Sequence, residues 1–87
     1  MASTPVRLIP DPTNPDGYIT WILHKKVLVF QHDLPEYEGR LPWVAQYETY
    51  QGDIPGRTDN HLQYAYGNAA DKAARNLRAK QHRAGLR

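Results

Sequence analysis

The hydrophobic period of the chain changes once, at Gly67, and that switch constrains the fold more than any other feature. Upstream, residues 18–66 are rich in β-branched and aromatic types with stretches of two-residue alternation, the pattern of half-buried strands. Downstream, residues 69–84 contain neither Gly nor Pro. At 100° per residue, Ala70, Ala73, Ala74, Leu77, Gln81 and Ala84 fall on one face of a helix. With 87 residues there is room for one core, and a late helix must bury its stripe on the preceding sheet. The expected fold class is therefore α+β, a three- to four-stranded antiparallel sheet with one C-terminal helix packed on one face. The expected organisation is a single domain over 1–87: a Pro-rich N-terminal arm at 1–17, the sheet at 18–66 and a basic, Ala-rich helix at 68–84.

Local chemistry refines these elements. Pro5, Pro10, Pro12 and Pro15 exclude a helix from the arm and leave Val6–Ile9 as a short edge strand. Residues 11–17 are turn formers throughout. Residues 18–32 read as two strands around His24-Lys25-Lys26, or as one long bent strand, because Lys-Lys does not favour the positive φ of a tight hairpin. Residues 33–42 read as a loop, 43–50 as an alternating strand and 51–60 as a second, long loop. In 61–66, Leu62, Tyr64 and Tyr66 share one face, expected to lie under the helix. Asn68 is the expected N-cap, with Asp71 three residues on, and Gly85 the expected helix end. The small Ala stripe is expected to lie close to large sheet residues.

Composition removes most chemistry. The absence of Cys excludes disulfides, thiolate metal sites and thiol catalysis. His24, His32, His61 and His82 show no metal-ligand spacing, and Ser3 is the only serine. No catalytic residue, metal or cofactor is expected, and the chain is read as a non-enzyme. The one enzymatic alternative is a small ribonuclease toxin using His32-Asp33 with His61 as an acid–base pair. No apolar run approaches the roughly 18 residues of a membrane span, and the first residues lack signal-peptide character. The expectation is a cytoplasmic protein with no membrane partner.

Charge is segregated beneath a net value of +2. Residues 33–60 hold six acidic and two basic residues, a balance of −4; residues 68–87 hold six basic and one acidic, a balance of +5. The leading expectation is a binding module that occupies a surface of a protein partner. A phage or mobile-element inhibitor of a host nucleic-acid machine, of the anti-CRISPR kind, is the specific form suggested by small size and missing chemistry. Lys72, Arg75 and Arg83 point away from the Ala stripe, and Arg78 flanks it with Lys80. Tyr50, Tyr37 and Tyr18 are surface aromatics, and Ile54 is a lone apolar residue at a loop tip. Lys72, Arg75, Arg83, Arg78, Tyr50, Tyr37 and Ile54 are thus the candidate contact residues, Tyr and Arg being frequent hot spots. The alternative is RNA or DNA binding through the basic helix, and a homodimer is a further possibility.

Residues 43–81 read strand–loop–strand–helix, with the helix opening Gly67-Asn68-Ala69-Ala70-Asp71-Lys72. This looks like the last part of a double-stranded-RNA-binding domain, in which the final helix carries paired lysines where this chain has Ala70-Asp71-Lys72. The resemblance implies an RNA-contacting helix and, earlier in the chain, a first helix in the Pro-rich half.

Overall fold

The computed structural model describes residues 6–32 and 41–85. Five strands, β1 (Ile9–Pro10), β2 (Tyr18–Ile22), β3 (Lys25–Gln31), β4 (Trp43–Tyr47) and β5 (Tyr64–Gly67), form an antiparallel meander in chain order. One α-helix among the described residues, α1 (Ala70–Arg83), follows. The fold is the α+β sheet-and-helix expected, with one strand more. Residues 18–31 make two strands, and the expected edge strand is present as β1, shifted from Val6–Ile9 to Ile9–Pro10, where Pro10 is tolerated because it stands at the sheet edge. Between β1 and β2 the turn is held by its own side chains. Asp11 Oδ1 accepts from the Thr13 amide at 2.8 Å and Asn14 Oδ1 from the Asp16 amide at 3.1 Å. No helix occurs in the described part of the N-terminal half, so the likeness to a double-stranded-RNA-binding domain stops at the strand–strand–helix order.

The hairpin between β2 and β3 corrects the sequence reading. Ile22 pairs with Lys25, so the two-residue loop is Leu23-His24 and both lysines belong to β3. Leu23 and His24 take φ of 55° and 64°, the left-handed pair of a tight hairpin loop whose twist matches its strands. Neither residue advertises that geometry. Leu23 is held there because its side chain packs against the core.

Register decides which residues meet the helix. Tyr18, Thr20 and Ile22 of β2 share a face with Val27 and Val29 of β3, Trp43, Ala45 and Tyr47 of β4, and Ala65 and Gly67 of β5. Against this face α1 sets Ala73, Ala74 and Leu77, all fully buried, and Gln81. Over β4 and β5 the contact is small on small, Ala73 and Ala74 with Ala45 and Ala65 in one core cluster, rather than small helix residues on large sheet residues. Gly67 marks the closest approach. A Cβ there would stand 2.4 Å from the Ala73 amide nitrogen.

Two further expectations are overturned by this packing. The helix N-cap is Ala69, whose carbonyl accepts the first helical bond from Ala73 at 3.0 Å; Asn68 is exposed and the cap residue makes no side-chain bond. The contact at Gly67 fixes the helix start, and side-chain capping preference yields to it. Tyr64 and Tyr66 lie on the face away from the helix, because Ala65 and Gly67 must face it and strand side chains alternate. Leu62 leaves that series altogether, since residues Asn60–Gln63 form a 3₁₀ turn ahead of β5.

The outer edge of β5 is closed by helix side chains. Lys80 Nζ donates to the carbonyls of Tyr64 at 2.7 Å and His61 at 2.9 Å. Asn76 Nδ2 donates to Tyr66 O at 2.8 Å, and Gln81 Nε2 to Leu62 O at 2.6 Å. Covering an edge in this way prevents another strand from adding to it.

Candidate functional site

Among the described residues no element covers the sheet face opposite α1. That face carries Ile19 and Trp21 from β2, Leu28 and Phe30 from β3, Val44 from β4 and Tyr64 and Tyr66 from β5, by the alternation of the registers. Ile19 and Val44 are buried between their neighbours, whereas Leu28, Phe30, Tyr64 and Tyr66 are half-exposed. Trp21 is 54% exposed and Ile9, beside Ile19 in register, 42%. These are large values for apolar residues on strands, and together they form a contiguous surface rather than scattered apolar residues.

The aromatics are ordered by one another. Tyr64 and Tyr66 meet edge to face with ring centroids 5.7 Å apart, and Tyr50 lies 5.3 Å from Tyr64. The His32 ring stands edge-on to Tyr66 at 5.3 Å, and its Nε2 makes a 2.5 Å contact with the Leu41 carbonyl oxygen. The row from Tyr50 through Tyr64 and Tyr66 to His32 is therefore preorganised. Tyr50 donates from its hydroxyl to Asp53 Oδ1 at 2.7 Å, and burial, seconded by that bond, raises its pKa above the usual tyrosine value.

Charge is sparse here. Lys26 of β3 and Glu48, the residue that follows β4, pair at 3.2 Å and neutralise each other. At its margins Lys80 stands 5.0 Å from the centre of the Tyr64 ring, and Arg7 and Arg78 adjoin Trp21. Lys72, Arg75 and Arg83 are exposed on the helix, on the far side of the molecule from the aromatic face. Arg75 pairs with Asp71 one turn earlier at 3.4 Å. Among the ion pairs described, none joins the helix to the acidic loops. Arg78 is half-buried and lines a cavity of about 190 Å³ at the β2 edge with Arg7 and Trp21.

The other candidate residues are dispersed. Tyr37 lies outside the described residues. Tyr18 packs against the core and sits 6.1 Å from Trp43, so it is not the surface residue expected. Ile54 is 51% exposed in the loop over 51–60. That loop is tied by Asn60, whose side chain accepts from the Ile54 amide at 3.0 Å and donates to its carbonyl at 2.9 Å. For the acid–base reading, His32 is engaged as described and Asp33 lies outside the described residues. Among the described residues no group of three His, Asp or Glu could hold a metal ion, and no helix is long and apolar enough to cross a membrane.

Sequence reasoning missed Trp21 and Phe30 as surface residues and misplaced Tyr64 and Tyr66. The signal was the alternation of Trp21 with Thr20 and Ile22, which fixes opposite faces without saying which is covered. Compared with known protein families, curated proteins and solved structures, the chain matches none.

Proposed function

We propose that the chain is a non-enzymatic binding module that occupies an apolar surface on a protein partner, using the sheet face opposite α1. The observation that carries this reading is the exposed Trp21 together with the half-exposed row of Tyr50, Tyr64 and Tyr66 on the same side of the sheet, where Lys26 and Glu48 offset each other. Bases stacked on such a face would want free cations beside them; Lys80, beside Tyr64, is held by two backbone carbonyls, and Lys72, Arg75 and Arg83 are exposed on the other side. Occupying a surface without chemistry is how an inhibitor of a host nucleic-acid machine would act, which is the specific form of the proposal.

A second reading uses the outer face of α1, where Lys72, Arg75 and Arg83 are exposed together, to bind RNA or DNA phosphates. The two are separated by variants and salt. A partner recovered from the host and reconstituted from purified components should lose affinity with Trp21→Ala and Tyr66→Ala. It should keep it with Lys72→Glu, Arg75→Glu and Arg83→Glu combined, and weaken only modestly in added salt. The reverse pattern, with a steep salt dependence and recovery of nucleic acid, would overturn the sheet-face reading. Sedimentation of the purified chain identifies the case in which the partner is a second copy.

A further inference from the structure

A second concave region lies at the end of the sheet where the β2–β3 loop, the 51–60 loop and the 3₁₀ turn converge. Two adjoining cavities of about 410 and 270 Å³ share Lys25, Arg57 and Gln63 as wall residues. The larger is bounded on its apolar side by Leu23, Leu62 and Tyr47. Tyr47 is only 4% exposed, and its hydroxyl is buried with no hydrogen-bond partner. A buried hydroxyl in that state costs about 1–3 kcal/mol relative to one that is bonded, and with no accessible surface it is sealed from the cleft, to which Tyr47 offers its ring. The Lys25 ammonium stands 5.6 Å from the centre of the Tyr47 ring, on the same wall.

The charges select the ligand. Arg57 and Lys25 contribute two positive charges, and Asp59, bound to Arg57 Nε at 2.5 Å, removes one. Gln81, also in the wall, belongs to the last turn and a half of α1, where the helix presents its partially negative end. The surplus suits one negative charge and disfavours two. Leu23 and Leu62 require an apolar body behind that charge, and a cavity of this size admits a small ring.

We propose that this cleft binds a small organic monocarboxylate, its oxygens accepting from Lys25 and Arg57 and its apolar body resting on Leu23, Leu62 and the Tyr47 ring. The site is separate from the aromatic sheet face, and the proposal stands whether or not that face binds a protein.

The test is a titration of the whole chain with sodium benzoate, followed by amide and side-chain NMR shifts, with benzyl alcohol and inorganic phosphate as comparison probes. The expected result is saturable binding in the millimolar range, with shifts confined to the residues around Tyr47, Lys25, Arg57 and Leu62, and weaker binding of both comparison probes. Lys25→Met should weaken benzoate about tenfold, whereas Tyr47→Phe, which leaves the ring in place, should bind it as the unaltered chain does. Tyr47→Phe should at the same time keep or raise the melting temperature, because it removes an unbonded hydroxyl from the interior. Shifts that fail to saturate, equal binding of benzyl alcohol, preference for phosphate, or wild-type affinity in Lys25→Met would each overturn the proposal.

Discussion

The Lys80 ammonium lies 2.7 Å from the carbonyl oxygen of Tyr64 and 5.0 Å from the centre of the same residue's ring. A second bond to the His61 carbonyl makes one side chain bridge the 3₁₀ turn and the start of β5. Burial, and secondarily the charge of Arg83, hold the Lys80 pKa below the ordinary lysine value. Its bonds to carbonyls are the compensation for that burial. Lys80→Met removes both bonds and leaves two edge carbonyls uncovered. The expected loss is about 1.5–3 kcal/mol, read as a lower midpoint in urea, with increased self-association because the β5 edge is reopened.

Gly67 is required by space rather than by backbone torsion. Its missing side chain lets the first turn of α1 rest on β5, and a methyl group would meet Ala73 and Lys72 backbone atoms at 2.4–2.8 Å. Backbone cannot rotate aside as a side chain would. Gly67→Ala is therefore expected to cost at least about 1–3 kcal/mol, the range for overpacking, in spite of the lower chain entropy that Ala brings to the unfolded state. Thermal unfolding would show the loss. An unchanged melting temperature would mean that the helix does not sit on Gly67.

How far the sequence disclosed this arrangement differs from residue to residue. The period change at Gly67 revealed the helix, its Ala stripe and the order sheet-then-helix, because periodicity survives whatever packs against it. Which sheet face the stripe would cover was not legible. In Trp43-Val44-Ala45-Gln46-Tyr47 both alternating sets contain large apolar residues, so pattern alone does not choose between them. The choice falls on the set with Ala45, Ala65 and Gly67, since two backbones approach only where both surfaces are small. That selection sends Tyr64 and Tyr66 outward and makes the aromatic face. Leu23-His24 was illegible for a different reason. Left-handed φ is normally announced by Asn or Gly, and here core packing of Leu23 imposes it.

Acid should loosen the turn before β2. Asp11 accepts from both the amide and the hydroxyl of Thr13 at 2.8 Å, and these bonds lower its pKa from 3.8. Asp59 is lowered as well, chiefly by its bond with Arg57. For a carboxyl depressed in the folded state, the unfolded chain binds more protons. The associated stability is present above the unfolded value and is lost as pH falls through the folded one. Stability should therefore decline below about pH 4, and Asp11→Asn should flatten that decline while lowering stability at neutral pH. Urea midpoints measured from pH 2 to 7 on both proteins check the sign, and parallel curves would remove Asp11 from the account.

The Leu23-His24 loop offers a test in the stabilising direction. Both residues take the left-handed conformation, which costs a side-chain-bearing residue roughly 1–2 kcal/mol. Their side chains differ in what they return. His24 is exposed and is not among the core contacts, whereas Leu23 packs against the core cluster. In His24→Gly the torsional strain is relieved and little packing is lost, although the freer unfolded chain opposes part of the gain. A net increase of about 0.5–1 kcal/mol is expected, a rise of a few degrees in melting temperature. In Leu23→Gly the same relief is set against the loss of a half-buried leucine side chain. That variant should be less stable than His24→Gly by about 1 kcal/mol or more. Equal stability of the two would show that Leu23 contributes no more to the core than His24 does, and that the hairpin loop is held by its strands alone.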